Sequence, residues 1–169
     1  MENKLRQLVQ QVRRHQQGSI CPQSPIWQIV EAISFGLLSM MYKNLKHESR
    51  TEIARHDRLE GAEDETWLHN LTHLRNLCSH HCRLWNRQFT ATAGRPQTIN
   101  ILKERWNLDS ARIYNSLLVI GYLLSKIPFQ SEWGSLIGRL LDEFLESYPE
   151  RYMGFPSGWK REHICNWQS

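Results

Sequence analysis

The sequence predicts an all-α fold, a helical bundle. Three observations carry this reading. Apolar residues recur at helical spacing along nearly the whole chain, no segment sustains period-two alternation, and clusters of Gly, Pro and Ser cut the chain into helix-length pieces. The 169 residues (20.1 kDa) suit one domain. We expect it to span 1–169, with an N-terminal helix (1–17), a bundle (25–147) and a C-terminal strap (148–169). A hydrophobic fraction of 40% is enough for a real core.

Taken in order, residues 4 to 16 form a charged, Gln-rich amphipathic segment with Leu5, Leu8, Val9 and Val12 on one side. GSICPQSP breaks the pattern, and Ser24 before Pro25 is a helix-start signal. IWQIVEAISFGLLSMMYKNL follows as one largely apolar helix of the core. Residues 48 to 58 read as a short polar helix. GAEDE reads as a turn, with Asp64 capping the helix after it. That helix opens the segment WLHNLTHLRNLCSHHCRLWNR, and RQFTATAGRPQT after it is a loop. LDSARIYNSLLVIGYLLSKI is apolar over most of its circumference and should be buried. Ser131 caps EWGSLIGRLLDEFLESY, where Trp133, Leu136, Ile137, Leu140, Leu141, Phe144 and Leu145 trace an i, i+3, i+4, i+7 stripe. The tail YMGFPSGWKREHICNW, rich in aromatics and turn residues, should pack back on the bundle.

Composition narrows the function classes. No run approaches ~18 uninterrupted apolar residues, so no transmembrane helix is expected. MENKLRQLVQQVRRHQ is too polar for a signal peptide, so the expected compartment is the cytoplasm. There the four cysteines (Cys21, Cys78, Cys82, Cys165) would be reduced thiols. A net charge of +4 is a mild basic bias, compatible with an anionic partner.

Residues 67 to 87 gather four histidines, two cysteines and three arginines. At ~100° per residue, Trp67, Leu71, Leu74 and Cys78 form a stripe, and Arg75 projects between Leu71 and Leu68, inside the apolar face. An arginine there either snorkels outward, meets a buried carboxylate, or is placed to meet phosphate. His80 lies ~140° around the helix from Arg75. The two reach one phosphate only if the helix distorts near Cys78–Ser79 or two copies build the site across a two-fold axis.

Two other chemistries are weaker. His69 and His73 have i, i+4 ligand spacing, yet no CxxC, HExxH or second spaced pair closes a metal site, so no metal is expected. Neither Cys78 nor Cys82 has the flanks of a nucleophile. His69 and His73 read as polar-face or interhelical hydrogen-bonding residues. Trp85 reads as a packing residue rather than a base-stacking one, and Arg95 as a solvated charge.

RNLCSH (75–80) has the R-N-x-x-x-H form of the Rx4–6H motif, and the chain resembles the HEPN superfamily. More closely, the ordered set PIWQIVEAISFGLLSMMYKNL, WLHNLTHLRNLCSHHCRLWNR, IYNSLLVIGYLL and MGFPSGW resembles the Abi-like (AbiD/AbiF-type) abortive infection proteins over residues 25 to 160. Measured against that resemblance, the family's N-terminal half is expected to be missing from this chain. The resemblance implies a HEPN-type bundle acting as a metal-independent endoribonuclease in phage defence, with a composite site in a homodimer. By position it assigns catalysis to Arg75, Asn76 and His80, and RNA binding to His81, Arg83, Asn86 and Arg87. The expected partners are RNA, a second copy and an antitoxin or companion chain, with no cofactor. The alternative is a non-catalytic RNA-binding or structural module of the same fold.

RNA carries its own nucleophile, the 2′-OH, so such a site need only align it, move protons and stabilise phosphate charge. An imidazole, titrating near ~6.5, moves protons at neutral pH.

Overall fold

The computed structural model describes residues 33–56, 61–127 and 132–167. Among the described residues the architecture is an all-α bundle of seven α-helices and one short 3-10 helix, with no strand. In chain order these are α1 (Phe35–Lys43), α2 (His47–His56), α3 (Gly61–Ser79), α4 (Asn100–Arg105), α5 (Ile113–Ser125), α6 (Trp133–Leu145), the 3-10 helix (Glu150–Met153) and α7 (Glu162–Cys165).

The centre is α5, where Ile113 through Val119 are all buried. This is what an apolar circumference demands. One side of α5 meets α3 and another meets α7, while α1 and α2 pack on α3. Trp67, Leu74 and Leu77 of α3 join Leu102, Leu117, Leu118, Leu141, Phe155 and Ile164 in one core. The Trp67 indole meets Tyr122 edge to face at 6.1 Å. One of the buried polar residues of α5, Asn115, is satisfied by the segment before it. Its Nδ2 donates to the Asn107 carbonyl at 2.7 Å, and its Oδ1 accepts from the Asn107 N–H at 3.1 Å. The tail folds back over α4–α6: Arg105 donates to the His163 carbonyl at 3.0 Å, and Trp167 meets Tyr122. α6 approaches α7 closely because Gly134 and Gly138 lack side chains where Cys165 and Arg161 press in.

Four expectations need correction or limits. The expected long helix over residues 26–45 is described only from Ile33 on, where a helix starts at Phe35; residues 26–32 lie outside the described residues. Ser34 is extended (φ −69°, ψ 153°) and its Oγ accepts the Leu37 N–H at 3.2 Å, an N-cap that an apolar run conceals. Residues 1–17, Ser24, Pro25 and the Ser131 cap lie outside the described residues. GAEDE is the first turn of α3 rather than a turn before it. Asp64 is therefore not a cap; it is buried and accepts the Tyr42 hydroxyl at 2.8 Å. Burial, then that bond, pushes the Tyr42 phenol well above its ordinary range. Finally, α4 lies where no helix was expected, and the α6 stripe is split: Leu141 is buried but Leu136 and Leu140 stand in solvent. No helix among the described residues is long and apolar enough to cross a membrane.

Candidate functional site

The site begins with the face that α3 buries. Trp67, Asn70, Leu74 and Leu77, spaced three, four and three, point into the protein. The projection through Leu71 and Cys78 misplaced the centre of this face by about 50°. Asn70 and Leu77 draw it the other way, leaving Leu71 half-buried and Cys78 exposed. Arg75 is consequently not inside the apolar face but exposed. Its guanidinium donates to Oδ1 of the neighbouring Asn76 at 3.1 Å, so these two expected site residues are brought together.

α3 runs undistorted through Cys78–Ser79 and stops in a Schellman motif. The His81 N–H reaches the Cys78 carbonyl at 3.0 Å, and the Cys82 N–H reaches the Leu77 carbonyl at 2.8 Å. That geometry requires a left-handed residue after the cap, and His81 supplies it at φ 52°. Glycine is the usual occupant, because a Cβ there crowds the backbone. His80 is the cap itself, exposed, with its N–H on the Asn76 carbonyl at 3.0 Å. Regular helix to this point keeps His80 ~140° from Arg75. Among the described residues no side-chain hydrogen bond joins His80 to Arg75 or Asn76. One copy alone does not converge them.

The chain then turns two successive side chains inward. Leu84 packs against the core and Trp85 stands edge-on or tilted to Phe144 (5.0 Å), Tyr148 (5.1 Å) and Tyr152 (5.6 Å). Trp85 is thus a packing residue. Between and beyond these anchors, His81, Arg83, Asn86 and Arg87 are exposed. Asn86 turns the chain at φ 50°, and the Arg87 N–H closes the turn on the Leu84 carbonyl at 3.2 Å. Arg112, at the start of α5, holds this turn by donating to the Asn86 Oδ1 at 3.2 Å. Sequence reasoning passed over Arg112, whose place beside Asn86 depends on a 26-residue separation.

The loop from residue 87 to 99 has no regular structure yet is tied along α3. Asn70 donates to the Ala91 carbonyl and Trp67 Nε1 to the Gly94 carbonyl, each at 2.8 Å. The Gly94 N–H donates to Thr66 Oγ1 at 2.9 Å, and a Cβ at 94 would sit 2.7 Å from that oxygen. Phe89 is buried and faces the His73 ring at 5.7 Å. These bonds give a loop-borne surface a rigid backing. Arg95 is exposed on it.

The stretch of chain that carries these residues has a one-sided charge. Residues 66 to 103 contain Arg75, Arg83, Arg87, Arg95, Lys103 and four histidines, but no Asp or Glu. This gap in acids is legible in the sequence and locates the surface better than net charge does. The field acts on His73, which titrates below its ordinary value because burial disfavours the imidazolium, followed by the Arg87 cation and His69. His69 is exposed on the same helix. Among the described residues no group of three His, Cys, Asp or Glu side chains is placed to hold a metal. The arrangement offers guanidinium donors to phosphate and an accessible imidazole for proton transfer.

A family model described as Abi-like protein matches residues 1–86. The match covers half of the chain and contains Arg75, Asn76, His80, His81, Arg83 and Asn86; Arg87 lies one residue beyond it. It also takes in the first 24 residues, upstream of the segment where the sequence resemblance begins. No curated protein and no solved structure matches the chain. On the family match, the chain belongs to the Abi-like protein family.

Proposed function

We propose that this chain is a metal-independent endoribonuclease of the abortive-infection type, working in the cytoplasm at a site shared between two copies. Membership of the Abi-like family supports an abortive-infection-related function. The observation that carries the finer reading is the end of α3. There an Arg–Asn pair and an exposed imidazole sit on a stretch of chain that carries no Asp or Glu and is rigidly backed. The R-N-x-x-x-H form relates the same residues to HEPN nucleases.

In this reading the RNA 2′-oxygen attacks the adjacent phosphorus, and the P–O5′ bond breaks. His80 mediates transfer of the 2′-OH proton toward the departing 5′-oxygen. Arg75 stabilises the negative charge that builds on the phosphate, with Asn76 orienting it. The products are a 2′,3′-cyclic phosphate and a 5′-OH. DNA lacks the attacking group and resists cleavage. His81, Arg83, Asn86 and Arg87 hold the flanking backbone, and a second copy supplies what ~140° of separation denies to one.

The test is labelled single-stranded RNA incubated with the purified chain, in the presence of chelator. His80→Ala should lower the cleavage rate by about 10²–10⁴, and Arg75→Ala by about 10²–10³, with the helical signal unchanged. Cleavage by His80→Ala at the wild-type rate refutes the assignment. A second reading, a non-catalytic RNA-binding module, draws on Arg75 being engaged by Asn76 rather than facing His80. It requires RNA to be bound but not cut by the wild type, and equally well bound by His80→Ala.

A further inference from the structure

Arg112 is the residue before α5, extended in its backbone (φ −104°, ψ −174°) and half-buried. The C-terminal tail presses on its stem. Gly154, left-handed at φ 83°, has no side chain there, and a Cβ on it would lie 2.9 Å from the Arg112 Cβ. Asn107 ties the tail to this segment by donating from Nδ2 to the Gly154 carbonyl at 2.8 Å, and the Arg112 N–H donates to Ser110 Oγ at 3.2 Å. The inner edge of the guanidinium is buried at Nε, which has no partner. The outer edge reaches Asn86, with Nη2 donating to Oδ1 at 3.2 Å. Among the described residues no carboxylate pairs with Arg112. Nor does the charge serve α5, because a cation at a helix start opposes the dipole. The bond to Asn86 is what this arginine achieves.

We infer that Arg112 is a positioning residue for the RNA surface, locking the Asn86 amide with its N–H donors turned toward phosphate. A guanidinium has donors only, so the amide atom it holds is the oxygen. With Oδ1 engaged, Nδ2 lies on the far side of an exposed side chain and donates to nothing else among the described residues. Phosphate oxygens only accept, so an amide left free to flip would present its oxygen to them half the time. The same bond steadies the left-handed turn at Asn86 and with it Arg87, the next residue, whose N–H closes on the Leu84 carbonyl. This role rests on the reading above that the loop binds RNA. It adds a residue from α5 that does not itself touch the ligand.

The test is binding of a labelled single-stranded RNA with 2′-O-methyl riboses, which keeps the phosphates and lacks the attacking hydroxyl, at one fixed salt concentration. Arg112→Ala should weaken binding about tenfold, the scale of one hydrogen bond to a charged group. Asn86→Gly, which removes the amide and still suits φ 50°, should weaken it by the same factor. The double variant should bind no more weakly than either single one, where independent effects would multiply to about a hundredfold. A loss from Arg112→Ala that persists in the Asn86→Gly background means that Arg112 meets phosphate itself or only supports the fold, and overturns the positioning role. Binding by Arg112→Ala equal to wild type overturns it too, and leaves the RNA site standing. A wild type that binds no RNA removes the reading beneath as well. Coupled binding losses, together with RNA cleavage by His80→Ala at the wild-type rate, keep this role and remove only the nuclease.

Discussion

At the residue scale the site is built on two left-handed positions, His81 and Asn86, neither of them glycine. Asn tolerates this backbone through its short polar side chain, whereas His81 is held there at a cost of about 1–2 kcal/mol. His81→Gly should therefore raise stability by about 1 kcal/mol, read as a higher denaturation midpoint. The same variant should bind RNA less tightly if the imidazole meets the ligand, a strain kept for function. A midpoint that drops would show instead that the side chain stabilises the fold. Arg83 and Arg87 have a different signature. Replacing either by Ala should lower the slope of log affinity against log salt by about 0.7, the share of one phosphate contact on a single strand, whatever the RNA sequence.

Protonation gives a further prediction for single residues. His73 titrates below its ordinary value of 6.5, through burial first and then the Arg87 and His69 charges. His163 is lowered by burial, Arg105 and Lys160, against a smaller opposing pull from Glu162. On unfolding both return to about 6.5. Between the folded and unfolded values the unfolded chain binds more protons, so stability rises with pH across that window. It is complete above the unfolded value and is lost as pH falls through the folded one. Denaturant midpoints should decline from about pH 7.5 toward pH 5, and His73→Asn with His163→Asn should flatten the decline. A pH-independent wild type would contradict it.

At the scale of elements, α3, α5 and α6 are legible in the sequence because their apolar residues recur at helical spacing, although α6 buries only part of its stripe. Their ends are less so, since caps are local competitions. Ser34 looks like one more residue in an apolar run, yet its side chain starts α1 by taking the Leu37 N–H. GAEDE looks like a turn by composition, but Asp64 and Glu63 are acids in the first turn of α3, where the helix dipole favours them. Both have long-range partners no spacing announces: Tyr42 for Asp64 and the Gln97 backbone for Glu63. The arc that α3 buries was shifted because Asn70, polar by type, is buried by its bond to Ala91. Trp67 joins α3, the loop and α5 at once, being 1% exposed and bonded to Gly94. Trp67→Ala should cost about 3–5 kcal/mol, while Trp67→Phe should cost less but free the Gly94 carbonyl; urea denaturation measures both.

At the scale of the whole molecule, the all-α class follows from periodicity and survives intact, whereas the assembly does not follow from one chain. The family resemblance singled out Arg75, Asn76 and His80, and helical spacing gave the angular gap between the first and last. It did not show that Arg75 stands in solvent or that Arg112 braces the Asn86 turn, because both depend on how α3 and α5 settle against each other. Nor did it show which apolar residues of α6 remain outside, since a stripe records amphipathicity and not the width of the neighbour that covers it. The molecule thus presents a basic loop, free of Asp and Glu, backed by buried side chains.

The central claim is that Arg75 and His80 act together only across two copies. Mixing Arg75→Ala with His80→Ala tests it directly, since each homodimer is inactive but a mixed dimer carries one complete Arg75–His80 set. Equal amounts, allowed to exchange, should recover about a quarter of wild-type RNA cleavage, with half the dimers mixed and one of two sites intact in each. A mixture as inactive as its components, with mixed dimers demonstrably present, would contradict the account.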